Sequence, residues 1–396
     1  MSYILNDDEI NAVTSVIKDG SLDRYIKGGN SISSRFEKNF SNLIGVNYSL
    51  ALSSGTAALI CALVGAGIKP GDHVIIPAYT YIATALAVLA VKAIPIITDI
   101  DESLTIDSND ILRKLTGATK AIIPVHMNGL PCNMDKIINI AQNNNLLIIE
   151  DVAQACGGTY QGHRLGSLGD IGAFSFNHYK IITCGEGGAL TTNNQEMFEK
   201  AIAYHHGGHI FESNVKNFNA HGIIGVNFRI SEISSAMLEV QLTRLDTIIS
   251  QLREEKKSIS SKLLRLNNPF SLAPCRDEKG ECARVIFFQF KDNIVASEFV
   301  RRATEKGVDL WLADTKGHVY NDWIPILKSH KEFVYENLKV NNLDQVEENL
   351  YVVARKSLEI LQSSVGMNIE INKTHNMLDN LIKKFYHLSM EFNSYV

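Results

Sequence analysis

The stretch Phe174-Ser-Phe-Asn-His-Tyr-Lys-Ile-Ile-Thr-Cys-Gly-Glu-Gly-Gly188 sets Lys180 between short apolar runs and just before a glycine-rich turn. A strand-like segment, Ala173 to Phe176, leads in. Gly185-Glu-Gly-Gly188 then permits backbone turns that residues with a Cβ resist, and Ala189-Leu-Thr-Thr192 resumes a strand-like pattern. A lone lysine in such a place is ordinarily a solvated one. Two earlier stretches give it company. Glu150-Asp-Val-Ala-Gln-Ala155 puts an aspartate directly after an apolar run, and Ser53-Ser-Gly-Thr-Ala-Ala58 is a small-residue turn leading into a helix.

Working outward, the first half of the chain alternates. Leu50–Leu52, Val74–Ile76, Ile94–Thr98, Ala121–Val125 and Leu146–Glu150 are compact apolar runs. Helical patterns lie between them at Thr56–Ala66, Ile82–Val91, Ser108–Leu115 and Met134–Asn143. Apolar strands alternating with helices predict an α/β fold with a mostly parallel sheet covered on both faces. In such sheets ligands bind beyond the carboxyl ends of the strands, which is where Asp151 and Gln154 stand. Ahead of the alternation, Asp7–Lys18 reads as a helix capped by Asn6 with Glu9 three residues on. Gly20 to Asn30 reads as a loop carrying Arg24, Tyr25 and Lys27, and Ser33–Leu43 as a second helix.

Ser231 opens a long helical stretch in which Leu238, Leu242, Leu245, Ile249 and Leu252 form one apolar stripe. The division predicted is a large domain over residues 1–255 and a smaller α+β domain over 256–396. The smaller one has a strand at Arg284–Phe290 and helices near Ala296–Lys306, Leu343–Leu361 and Thr374–Leu388.

The chain has 396 residues, 45% of them apolar, enough for a sizeable core. Its net charge of −5 favours neither nucleic acid nor an anionic membrane surface. Six scattered cysteines show no Cys-x-x-Cys pair, so neither a disulfide framework nor a zinc site is expected. There is no signal-like start and no apolar run of membrane length, so the default expectation is a reducing cytoplasm. No Gly-x-Gly-x-x-Gly follows an early strand, which argues against a nucleotide-binding oxidoreductase, and no Gly-Lys pair exists to make a P-loop.

Six stretches taken in order resemble the DegT/StrS-type sugar aminotransferases, a branch of the fold-type I enzymes that use pyridoxal 5′-phosphate (PLP). They are Ser53-Ser-Gly-Thr-Ala-Ala-Leu59, Ile76-Pro-Ala-Tyr-Thr-Tyr81, Glu150-Asp-Val-Ala-Gln154, Ser175-Phe-Asn-His-Tyr-Lys180, Gly185-Glu-Gly-Gly188 and Gly225-Val-Asn-Phe-Arg229. The agreement runs from about Asp19 to Leu252 and is loose thereafter. The resemblance implies an aspartate-aminotransferase-like large PLP domain and a smaller C-terminal domain. Condensation with an aldehyde needs an amine that can lose its proton near neutral pH, and Lys180 is the candidate. A carboxylate beside the pyridine nitrogen deepens the electron sink, the role expected of Asp151. The phosphate calls for the helix N-terminus at Gly55-Thr56-Ala57. By resemblance it also calls for Ser175 and, from a partner subunit, Asn227, so that the site is shared across a homodimer. Gln154 is expected at the phenolic oxygen of the cofactor ring and Tyr81 on its face.

Substrate residues are harder to read. Tyr204-His-His-Gly-Gly-His209 is a glycine-bearing loop without a carboxylate or cysteine to complete a metal site; it lines a pocket or lies exposed. Glu186, His205, His206, Arg229, His318 and Tyr320 are the substrate candidates, a set suited to hydroxyls and a carboxylate. Arg229 is open to two readings, a carboxylate clamp and a structural ion pair. The expected reaction moves an amino group from glutamate or glutamine to a keto or aldehyde carbonyl. The acceptor is a nucleotide-linked sugar, a sugar acid such as the 8-aldehyde of a 3-deoxy-octulosonate, or a keto-cyclitol. The rivals are PLP-dependent sugar dehydration, which in this family goes with histidine at the lysine position, and a non-catalytic PLP-fold regulator.

Overall fold

The computed structural model describes residues 5–25, 30–208, 223–327, 353–371 and 375–393. In order, the elements of the first part are α1 (Asp7–Asp19), α2 (Ile32–Ile44), β1 (Tyr48–Leu52), α3 (Gly55–Gly65), β2 (His73–Pro77), α4 (Ala83–Ala90), β3 (Ile94–Thr98), α5 (Ser108–Lys114), β4 (Thr119–Ile122), α6 (Met134–Asn144) and β5 (Leu147–Asp151). They are followed by β6 (Thr159–Tyr160), β7 (His163–Arg164), β8 (Ile171–Ser175), β9 (Gly188–Thr192), α7 (Gln195–His205) and α8 (Glu232–Leu263). The predicted capping box at Asn6 and Glu9 is present, with the Glu9 carboxylate accepting the Asn6 N–H at 2.9 Å.

Seven strands form the main sheet in the order β1-β9-β8-β5-β4-β2-β3. The β3-β2-β4-β5-β8 run is parallel throughout, as the alternating sequence predicts. β9 reverses against β8, and β1 reverses again against β9. Two reversals restore direction, so β1 ends at the same edge as β2, β4, β5 and β8. Successive residues of β5 show the cover on both faces. Ile148 packs into one apolar cluster with Phe174, Phe176 and Leu245, and Ile149 packs into another with the α3 side chains. α3 is apolar all round because it sits inside the fold, against α7, α4, β8 and β9.

α8 is capped by Ser231, whose hydroxyl accepts the Ser234 N–H at 3.1 Å. Leu238, Leu245, Ile249 and Leu252 are buried along it, with Leu242 half-buried. It runs on unbroken through position 256. Beyond it come β10 (Ser271–Leu272), β11 (Val285–Gln289), α9 (Asn293–Glu305), β12 (Trp311–Leu312), α10 (Tyr320–Leu327), α11 (Arg355–Gln362), β13 (Ser364–Asn368) and α12 (His375–Asn393). Their strands make a second, antiparallel sheet, β10-β11-β13-β12. Lys27, His209, Thr374 and the first half of the helix expected from Leu343 lie outside the described residues. No helix among the described residues is long and apolar enough to cross a membrane.

Candidate active site

The strand ends that share one edge of the main sheet open on a cavity of about 530 Å³, within the usual range for small-molecule sites. Each strand delivers part of its lining: Ser54, Gly55 and Thr56 after β1, Thr80 and Tyr81 after β2, Val125 after β4, Asp151 and Gln154 at the end of β5, and Ser175 at the end of β8. Lys180 and Glu186 come from the β8–β9 connection, and His318 and Arg284 from the second part of the chain.

Asp151 is held on both sides. Its N–H donates to the Pro124 carbonyl at 2.9 Å, its own carbonyl accepts from His126 N–H at 3.0 Å, and the next N–H, of Val152, donates to Ala173 at 2.8 Å. Below it the buried Glu150 carboxylate accepts the N–H groups of Gly166, Leu168 and Gly169 at 2.7–2.9 Å, with His126 Nε2 at 3.1 Å. The Asp151 carboxylate accepts from the Thr84 hydroxyl at 2.9 Å and the Ala153 N–H at 3.1 Å. Burial pushes its pKa up from the ordinary value, against these two hydrogen bonds.

Burial, and after it the Arg284 guanidinium, pushes the Lys180 amine down to about 8; the carboxylates of Asp151 and Glu186 pull the other way. Burial likewise lowers His318, so its ring is neutral near pH 7. Gln154 Oε1 accepts the Asn128 N–H at 3.0 Å, and Asn128 Nδ2 donates to the Tyr79 hydroxyl at 3.0 Å.

The α3 N-terminus makes an anion cradle. Ser54 caps it, its hydroxyl accepting the Ala57 N–H at 3.1 Å. The first-turn N–H groups of Gly55 and Thr56 have no intrahelical acceptor. A Cβ at Gly55 would meet Ser175 Cβ at 2.7 Å, and one at Gly188 would meet the Ser54 carbonyl at 2.3 Å. The glycines thus let the helix start lie directly against the end of β8. A group with a phosphate at one end and a basic ring nitrogen at the other fits this cavity: backbone N–H and hydroxyl donors for the first, a fixed carboxylate for the second.

Gly55, Thr56, Tyr81, Asp151, Gln154, Ser175, Lys180, Glu186 and His318 therefore share one cavity. Ala57 lies one residue deeper, its N–H taken by Ser54. The other expected residues lie outside the lining. Tyr320 opens α10 facing inward and is fully buried beside Trp323. His205, the last residue of α7, is also fully buried, its Nδ1 against the Ile202 carbonyl at 2.5 Å, and burial holds it near 3. Arg229 sets Nη1 2.6 Å from His206 Nδ1, and the exposed Asn227 accepts the Arg229 N–H at 3.2 Å. His206 also packs against Tyr25, ring centroids 4.5 Å apart and the rings tilted by 50°. Among the described residues no group of histidine, cysteine and acidic side chains is arranged to hold a metal.

Sequence reasoning missed Ser54, Thr84, Asn128, Tyr179 and Arg284 in the lining. Thr84 had a signal: it lies one helical turn after Thr80, and the two hydroxyls meet at 2.8 Å. Arg284 had none, since it enters from the second sheet.

The chain is 41% identical over 234 residues to GDP-perosamine synthase of Caulobacter vibrioides, an overlap covering 59% of this chain and 62% of that protein. An aminotransferase structure from Psychrobacter cryohalolentis superposes with a TM-score of 0.83 at 25% identity, over 98% of both chains. A Bacillus subtilis structure with bound cofactor PMP superposes with a TM-score of 0.79 at 26% identity, over 98% of this chain and 83% of that one. The DegT/DnrJ/EryC1/StrS aminotransferase family model matches residues 4–312, and the chain belongs to that family.

Proposed function

We propose that this protein is a PLP-dependent aminotransferase. It takes an amino group from glutamate or glutamine and delivers it to a keto or aldehyde carbonyl of a sugar, a sugar acid or a cyclitol. The observation that carries the reading is Lys180, its amine brought down to about 8 in a cavity it shares with Asp151 and the α3 N-terminus. A similar protein named for a GDP-linked product supports a nucleotide-linked acceptor, and one with bound PMP supports the cofactor.

Gly55, Thr56 and Ser175 would hold the phosphate and Asp151 the ring nitrogen. When bound, PLP supplies the electron sink that makes the donor Cα proton acidic. Lys180 would be the amine that holds the cofactor's aldehyde until a donor amine replaces it. Once free it would be the base that moves a proton from the donor Cα to the cofactor carbon in one half of the reaction, and from that carbon to the acceptor carbon in the other. Asp151 keeps the ring nitrogen protonated: a buried carboxylate with two fixed hydrogen bonds has one strong partner left to seek, a cation facing it. Gln154, fixed by Asn128, is set for the ring hydroxyl, and Tyr81, 53% exposed at the mouth, for the ring face. An amine at position 180 favours transfer over elimination. The exposed Asn227 suits service to a partner's phosphate in a homodimer.

The test is spectroscopic. Protein loaded with PLP should show the visible band of lysine-bound cofactor, lose it on adding glutamate and regain it on adding a carbonyl sugar. A band indifferent to glutamate and glutamine would contradict amino transfer.

A further inference from the structure

Arg284 stands out among the cavity's residues as a cation without a counter-ion. Its Nη2 donates to the Tyr179 carbonyl at 2.8 Å, and its Nε is shut off from solvent without a hydrogen-bond partner. No carboxylate forms an ion pair with it among the described residues. Arg284 lines the same cavity as Lys180, Glu186 and His318, and its charge acts on the Lys180 amine.

The backbone is arranged to put it there. Cys282 N–H donates to Gly129 at 2.9 Å, tying this segment to the loop below β4, and a Cβ at Gly129 would meet Cys282 Cβ at 2.7 Å. Ala283 then takes φ 57°, a left-handed conformation that a residue with a Cβ adopts at a cost. On the far side the Arg284 carbonyl accepts the Ile369 N–H at 2.7 Å. A guanidinium presents its donors in a rigid fork that matches a carboxylate two bonds at a time, and leaving it unpaired in a half-dry cavity is costly. Several other arginines among the described residues have partners of that kind, as Arg164 has in Asp246 at 2.6 Å and Arg35 in Glu239 at 2.9 Å.

We infer that Arg284 is a specificity-determining residue that anchors a carboxylate of the bound substrate beside Lys180. The inference rests on the proposed aminotransferase reading and adds the chemical class of the group that Arg284 selects. The carboxylate belongs either to the α-carbon of the amino donor or to a sugar-acid acceptor, and the two sources are separable.

The experiment uses full-length, PLP-loaded protein and its visible band. In the donor arm, glutamate is compared with its α-carboxamide for the concentration that half-discharges the band. In the acceptor arm, amine-loaded protein is given glucuronate or its methyl ester and return of the band is followed. Wild type should prefer the acid in at least one arm by about ten- to a hundredfold, and Arg284→Gln should bring that preference close to one. Arg284→Lys, which keeps the charge and loses the fork, should fall between. A ratio is unmoved by a merely structural role, which would weaken acid and neutral partner together. Loss of preference in the donor arm assigns the donor's α-carboxylate; loss in the acceptor arm assigns an acceptor carboxylate. An acid preference surviving in both arms of both variants overturns the assignment and leaves the aminotransferase reading standing. A wild type that shows no visible band removes the ground of both.

Discussion

Lys180 and Asp151 carry opposite demands that burial meets with one device. Drying the cavity disfavours charge on both, so the amine drops toward neutrality and the carboxyl becomes eager for a cation. The amine gives a pH prediction with a definite sign. Only the neutral amine condenses with an aldehyde, so capture of PLP by cofactor-free protein should accelerate as pH rises through about 8 and level off above it. Stopped-flow absorbance at constant ionic strength reads this; acceleration continuing to the ordinary lysine value of 10.5 would contradict it. Glu186→Gln should move the midpoint lower, because that carboxylate favours the charged amine. Asp151→Asn should lose most turnover yet still bind PLP, since the donors at the phosphate end are untouched; near wild-type turnover at saturating cofactor would remove Asp151 from its role. The place of these residues in the cavity was legible because each stands within a few positions of an apolar strand. Thr84 and Asn128 act through hydrogen bonds to other site residues, and Arg284 crosses from another sheet, so no local pattern marks them.

The elements were readable where the period was clean. β2, β3 and β5 are runs buried along nearly their whole length, and the helices between them carry ordinary caps such as Asn133 and Asp107. The second sheet was mostly not readable. β10 and β12 have two residues each, and β13 has Gly366 at its centre, which reads against a strand. The structure uses that glycine to seat an indole: a Cβ there would meet the Trp311 ring at 2.4 Å. The start of α3 offers the sharpest test at this scale. Gly55→Ala must push the helix start from Ser175, so PLP affinity should fall about tenfold or more, as expected when phosphate donors are displaced. Fluorescence titration of cofactor-free protein reads it, and unchanged affinity would show that the phosphate is held elsewhere. Ser54→Ala should instead cost about 1 kcal/mol of stability by loss of the cap, measured as a lower denaturant midpoint.

Across the whole molecule, the site depends on long-range ties. The Glu232 carboxylate at the start of α8 accepts the Ile32 and Ser33 N–H groups at 2.5 and 3.3 Å and the Ser33 hydroxyl at 2.5 Å, clamping α2 from 199 to 200 residues away. Asn227, Arg229 and His206 form a group outside their own chain's cavity, which single-sequence reading could not distinguish from a cavity lining. The proposed shared site makes a mixing prediction. If Asn227→Ala alone is strongly impaired, mixing it with Lys180→Ala should restore activity, because one mixed dimer can place both defects in one site and leave the other whole. An active monomer, or full activity without Asn227, would count against sharing.

Chemical trapping decides whether Lys180 is the lysine that carries the cofactor, as proposed. Borohydride reduction of PLP-loaded protein, followed by peptide mapping, should place a pyridoxyl label on Lys180, and Lys180→Ala should take no label while keeping its thermal transition. A label on another lysine, or an undiminished label in the Lys180→Ala protein, would remove Lys180 from that role.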